Sequence, residues 1–110
     1  MTTATGTLEA IDRILNRGGD ADDVLRQVVE AVHDLYPYAA IAFVEPGGLA
    51  VGPELGEPPA ETEAFPISFE GSQVAELRVG GAPSDRVFLE RVALIVSPHC
   101  LVGWDVWPEQ

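Results

Sequence analysis

Between residues 65 and 79 the chain reads FPISFEGSQVAELRV. Phe65, Ile67 and Phe69 alternate with small or polar residues, and Ala75, Leu77 and Val79 do the same. A period of two predicts two strands around a turn at Gly71. A Gly71-Ser72 turn would set Ile67 opposite Glu76 and Phe65 opposite Arg78, mixing apolar with charged side chains. A three-residue Glu70-Gly71-Ser72 loop sets Ile67 opposite Ala75 and Phe65 opposite Leu77, so it is the expected register, with a Gly-assisted bulge. An earlier hairpin is predicted from the alternation over 38–45, the Pro46-Gly47-Gly48 turn signal and a short return strand at 49–51. Its apolar set is Ile41 and Phe43. The opposite parity in the two hairpins holds Ala40, Ala42, Ser68, Glu70, Glu76 and Arg78. An antiparallel sheet with one packed face and one wet face has this pattern.

Helical spacing appears on either side of the hairpins. Leu8, Ile11, Ile14 and Leu15 recur on one side of a helix over 7–16, which Gly18-Gly19 ends. A second helix is expected from an Asp20 N-cap to about residue 35, where Pro37 stops it. Val24, Leu25, Val28, Val29, Val32 and Leu35 form its buried stripe. Ser84 or Asp85 caps a last helix over about 85–103, with Phe88, Leu89, Val92, Ile95 and Val96 on its main face. Pro98 removes one backbone hydrogen bond and should kink this helix or end it early. The Pro- and Glu-rich stretch 52–63 is expected to be a surface loop, and 1–6 and 105–110 flexible tails.

Composition narrows the functional classes. The 110 residues suit one domain, and 46% hydrophobic residues can build a core. Eighteen acids oppose six bases for a net charge of −12, and every base is arginine. Such a chain repels phosphate backbones and anionic lipid, which argues against nucleic-acid and membrane-surface partners. The absence of lysine excludes Schiff-base catalysis and a phosphate-binding P-loop lysine within the chain. One cysteine, Cys100, allows neither an internal disulfide nor a thiolate zinc cluster. With no signal-peptide pattern at 1–6 and no apolar run of membrane-spanning length, a soluble, cytoplasmic protein is expected.

Two helices, a hairpin, a second hairpin and a final helix resemble a GAF domain. The resemblance rests on Pro66-Ile67, Gly71, Val74-Ala75-Glu76-Leu77-Arg78-Val79 and Phe88-Leu89-Glu90-Arg91-Val92-Ala93, and covers about 8–103. It implies an α+β fold: an antiparallel sheet of about four strands from two hairpins, with three helices packed on one face. Members of that family hold ligands on the opposite sheet face, under an insertion between the hairpins. Here the insertion is only the 52–63 loop, so the resemblance implies a GAF core whose pocket roof is missing. The lysine-containing signature of cyclic-nucleotide-binding members is absent. The cysteines of sulfoxide-reducing and bilin-bearing members have no counterpart either, since Cys100 falls on the last helix.

Individual candidates for chemistry are weak. His99 and Cys100 are helical neighbours about 100° apart, poorly placed to hydrogen-bond to one another. His33 sits at the border of a polar helix face. Asp20, Asp22 and Asp23 suit a helix N-terminus and lack the glycine and distal glutamate of a calcium loop. Ser68, Glu70 and Glu76 fit a solvated sheet face. No catalytic residue, metal ligand or cofactor is expected. Val87, Leu94 and Leu101, seven residues apart, form a second narrow stripe on the last helix. They pack against one of the chain's own first two helices, or they form the seam of a homodimer. Trp104 and Trp107 are candidate anchors for a partner protein, or pack locally. The chain is expected to be a non-catalytic module acting by association, with a reduced-pocket small-molecule sensor as the alternative.

Overall fold

The computed structural model describes residues 4–17, 20–82 and 85–100. Helices α1 (Ala4–Arg17) and α2 (Ala21–His33) precede strands β1 (Tyr38–Glu45), β2 (Gly48–Leu55), β3 (Thr62–Phe69) and β4 (Ser72–Gly80). Helix α3 (Arg86–Val96) and a 3-10 turn (Ser97–Cys100) follow. The strands form one antiparallel sheet in the order β2-β1-β4-β3. The fold is thus α+β, with both hairpins in a single sheet. Helix α2 packs on β1 and β2, α3 on β3 and β4, and α1 against α2 and α3. Gly18-Gly19, Leu101, Trp104, Trp107 and the expected C-terminal tail lie outside the described residues.

The alternation decides which face meets the helices. Ile41 pairs with Leu77 and Leu77 with Phe65; Phe43 pairs with Ala75 and Ala75 with Ile67. These two cross-strand rows are buried in one cluster with Ile11, Val24, Leu25, Val28, Val29, Val32, Phe88, Leu89, Val92 and Val96. The expected core register of the second hairpin therefore holds, although its turn differs. Phe69 pairs with Ser72, so the loop is Glu70-Gly71 alone, and the ladder shifts between Ile67 and Ser68. Both loop residues have positive φ, 52° at Glu70 and 87° at Gly71, as a two-residue turn matched to strand twist requires. The extra residue opposite the shift is Val74, which restores the apolar parity.

Strand β2 runs beyond the expected 49–51, to Leu55. Ala42 faces Val51 and Ala40 faces Glu54, which leaves Gly52 and Pro53 opposite Ile41 as a bulge. Pro53 lacks an N–H, and an edge-strand bulge is where a strand tolerates that loss. The connection to β3 shrinks to residues 56–61. Helix α1 starts at Ala4, inside the expected N-terminal tail. Helix α2 ends at His33, two residues before the expected end, and the Asp20 side chain makes no cap bond. The Asp20 backbone carbonyl instead accepts the N–H of Val24 at 2.9 Å.

Candidate functional site

Helix α3 is fixed at its start by two hydrogen bonds. The Asp85 side chain accepts the N–H of Phe88 at 3.2 Å, and the Asp85 N–H donates to the Tyr36 hydroxyl at 2.9 Å. The second bond ties the helix to the buried corner between α2 and β1. At the other end the α-helix stops at Val96, two residues before Pro98, in keeping with an early end rather than a helix to 103. Ser97 Oγ donates to the Leu94 carbonyl at 2.9 Å there.

Phe88, Leu89, Val92, Ala93 and Val96 turn inward. Val87 and Leu94 turn outward, 76% and 66% exposed. They are therefore not part of a contact with α1 or α2, and the intrachain reading of the stripe does not apply to these two residues. Two clefts flank the outward ridge. One of about 290 Å³ lies between α3 and the edge strand β3, lined by Phe65, Pro66, Ser68, Glu90, Ala93 and Leu94. The other, about 250 Å³, lies between α3 and α1, lined by Leu8, Glu9, Asp12, Arg91 and Ile95. Glu90 accepts from Arg86 Nη1 at 3.3 Å, and the Arg86 guanidinium stands 5.3 Å from the Phe65 ring centroid. Glu90 and Arg91 stand out in the sequence only through the resemblance, although their positions three and four after Val87 place them on the same side of the helix.

The sheet face away from the helices is drier than its composition suggests. Ala40 and Ala42 are fully buried, as is Tyr38 nearly, while Glu76 and Arg78 are half-buried. The small alanines on the central strand lie between longer side chains from both neighbouring strands. Arg78 Nε donates to Glu76 Oε2 at 2.6 Å. Pro59 of the short connection lies over Gly80, so closely that a Cβ there would stand 2.6 Å from its Cγ. Ser68 and Glu70 are solvated or nearly so. Farther along, Val44, Leu49 and Val51 are exposed on this face, an apolar patch that the strand parity could have revealed. A cleft of about 750 Å³ opens at the end of the sheet along Glu61, Thr62, Glu63, Gly80 and Gly81. Ala60, Val79 and Ala82 complete its lining, so small and acidic residues dominate its walls.

Tyr38 donates its hydroxyl to Glu54 Oε2 at 2.7 Å. Burial, then the bond to Glu54 and the charge of Glu54, push its ionisation up from 10 to about 12, against a smaller opposing effect of Arg78. An unfolded tyrosine ionises at 10, whereas the folded one keeps its proton to about 12. The stabilisation is full below pH 10 and is lost as the pH rises to about 12. The urea midpoint of the wild type, relative to Tyr38→Phe, should fall across that window. A constant difference from pH 7 to 12 would show that the Tyr38 proton is not held.

The remaining candidates do not assemble a reactive centre. Cys100 is buried, and burial pushes its thiol up to about 12, far from a nucleophilic thiolate at neutral pH. His99, beside it, is half-buried. His33 is also half-buried, with Nδ1 3.0 Å from the Tyr36 carbonyl. Asp23 pairs with Arg26 at 2.9 Å on the surface of α2. Among the described residues no three His, Cys, Asp or Glu side chains are grouped to hold a metal ion, and no helix is long and apolar enough to cross a membrane. Comparisons with family models, with curated proteins and with solved structures find no match for this chain.

Proposed function

We propose that the chain is a small, non-catalytic GAF-like sensor or interaction module that acts by protein association, as a homodimer formed through α3. The observation that carries this reading is the outward placement of Val87 and Leu94 on a helix whose opposite side is fully committed to the core. Two large aliphatic side chains in line on a rigid element are a ready association surface. The order of helices and hairpins, and a sheet with β1 and β4 at its centre, are compatible with a GAF-like core. The alternative, a small-molecule sensor with a reduced pocket, is less well supported. The cleft at the end of the sheet is roomy, but Glu61 and Glu63 at its rim and its open shape offer little apolar enclosure.

Leu94→Glu tests the reading. Because Leu94 is exposed, the variant should keep the far-ultraviolet spectrum and melting profile of a folded chain. Its self-association should weaken by at least about a hundredfold, since a charge would replace an apolar contact in both copies. Sedimentation at tens of micromolar should give a wild-type dimer and a folded monomeric variant. A wild-type chain that is monomeric there refutes the proposal.

A further inference from the structure

We infer that the second copy docks on α3 in parallel, about a two-fold axis running along the helix, with Glu90 of each copy against Arg91 of the other. The inference rests on the association reading above and adds orientation and register to it. At about 100° and 1.5 Å per residue, Val87 and Leu94 lie about 20° apart and about 10 Å along one line. Glu90 and Arg91 fall midway between them in height, each about 50° off that line, on opposite sides. The structure separates these two flanks: Glu90 lines the cleft toward β3, with Phe65 and Pro66, whereas Arg91 lines the cleft toward α1, with Glu9 and Asp12. All four residues of the face, Val87, Glu90, Arg91 and Leu94, are exposed.

Symmetry then chooses between the two ways of pairing the ridge with itself. A two-fold axis parallel to the helices sets the Glu90 flank of one copy against the Arg91 flank of the other, on both sides of the seam. Val87 meets Val87 and Leu94 meets Leu94, and the Cα of each Glu90 is offset by only about 1.5 Å in height from that of the opposing Arg91. A two-fold axis perpendicular to the helices brings like flanks together. Glu90 would face Glu90, Arg91 would face Arg91, and the acids of α1 that line the Arg91 flank would face their own copies. In the parallel seam the Glu90 flank, which also carries Arg86, meets the Arg91 flank, which also carries Glu9 and Asp12, so each side offers the other charges of opposite sign; the perpendicular axis sets each flank against its own like charges, which disfavours that arrangement.

Cross-linking and charge reversal test this together. In the parallel seam, Leu94→Cys should form an intermolecular disulfide with itself under mild oxidation. Glu30→Cys, exposed on α2 away from the seam, should not, and neither should the buried Cys100 of the wild type. An antiparallel seam instead sets Leu94 beside Val87 of the second copy, so a mixture of Val87→Cys and Leu94→Cys would cross-link and Leu94→Cys alone would not. Glu90→Arg and Arg91→Glu should each weaken the dimer by about tenfold, and the double variant should recover it. Both positions are exposed, so each variant should fold. If Leu94→Glu abolishes the wild-type dimer while the reversals have no effect and Leu94→Cys does not self-link, the register proposed here is wrong and association through α3 stands. If the wild type is a monomer at tens of micromolar, both fall.

Discussion

Gly56→Ala is expected to destabilise the fold by about 2–4 kcal/mol, lowering the melting temperature by on the order of 10–20 °C. Gly56 follows β2 with φ at +86°, a backbone region that a side chain disfavours. Added to that conformational cost is a collision. A Cβ at this position would run into the Pro37 carbonyl oxygen, and the His33 ring lies 3.3 Å away. Backbone oxygen cannot turn aside as a flexible side chain could, so the corner between α2 and β1 would have to separate from the end of β2. Gly47→Ala is the control. Gly47 has φ of +98° with nothing within 4 Å of the added carbon, so it carries the conformational cost without the collision. Equal losses in the two variants, measured by urea denaturation, would show that the close approach to Pro37 does not matter.

Phe43→Ala should be still more damaging, at about 3–5 kcal/mol, while Val44→Ala one residue on should cost less than about 1 kcal/mol. Phe43 is 1% exposed, paired with Ala75 and packed in the helix-facing cluster. Truncation would remove apolar contact and leave a cavity that the rigid sheet and α2 cannot close. Val44 points to the other face and is 47% exposed. The two substitutions therefore report which side of the sheet carries the core. Comparable losses at both sites would mean that the outer face, with Val44, Leu49 and Val51, is also covered in solution. That result would locate a second interface on the sheet and weaken the assignment of association to α3 alone.

The exposed sheet patch and the α3 ridge differ in what they offer a second copy. The ridge belongs to a helix tied at its start to Tyr36 through the Asp85 N–H, and its two flanks differ in charge, Glu90 with Arg86 on one and Arg91 with Glu9 and Asp12 on the other. The patch at the turn end of the first hairpin lies beside Glu45 and the Pro46-Gly47 turn. Of these two surfaces, the ridge combines apolar contact with a charge pattern that selects an orientation.

The local pattern by itself determined the four strands, the three helices, the parity that buries Phe43, Phe65, Ile67 and Leu77, and the pairing of Ile67 with Ala75. Those features follow from short-range periodicity, because a strand that slips by one residue moves its whole apolar set to water. Tertiary structure alone decided the length of β2, since Pro53 weakens a strand signal until an edge bulge removes the need for its N–H. It also decided that the turn is Glu70-Gly71, because a bulge at Val74 gives the same core register as a longer loop. The dryness of Ala40 and Ala42 was hidden for a similar reason: a small side chain is buried by its neighbours on other strands, which local sequence does not contain. The Val87 and Leu94 stripe was legible as a stripe, but its direction was not. Periodicity shows that two residues share a helix face, and only the placement of α1, β3 and the sheet around α3 shows that this face is the outer one.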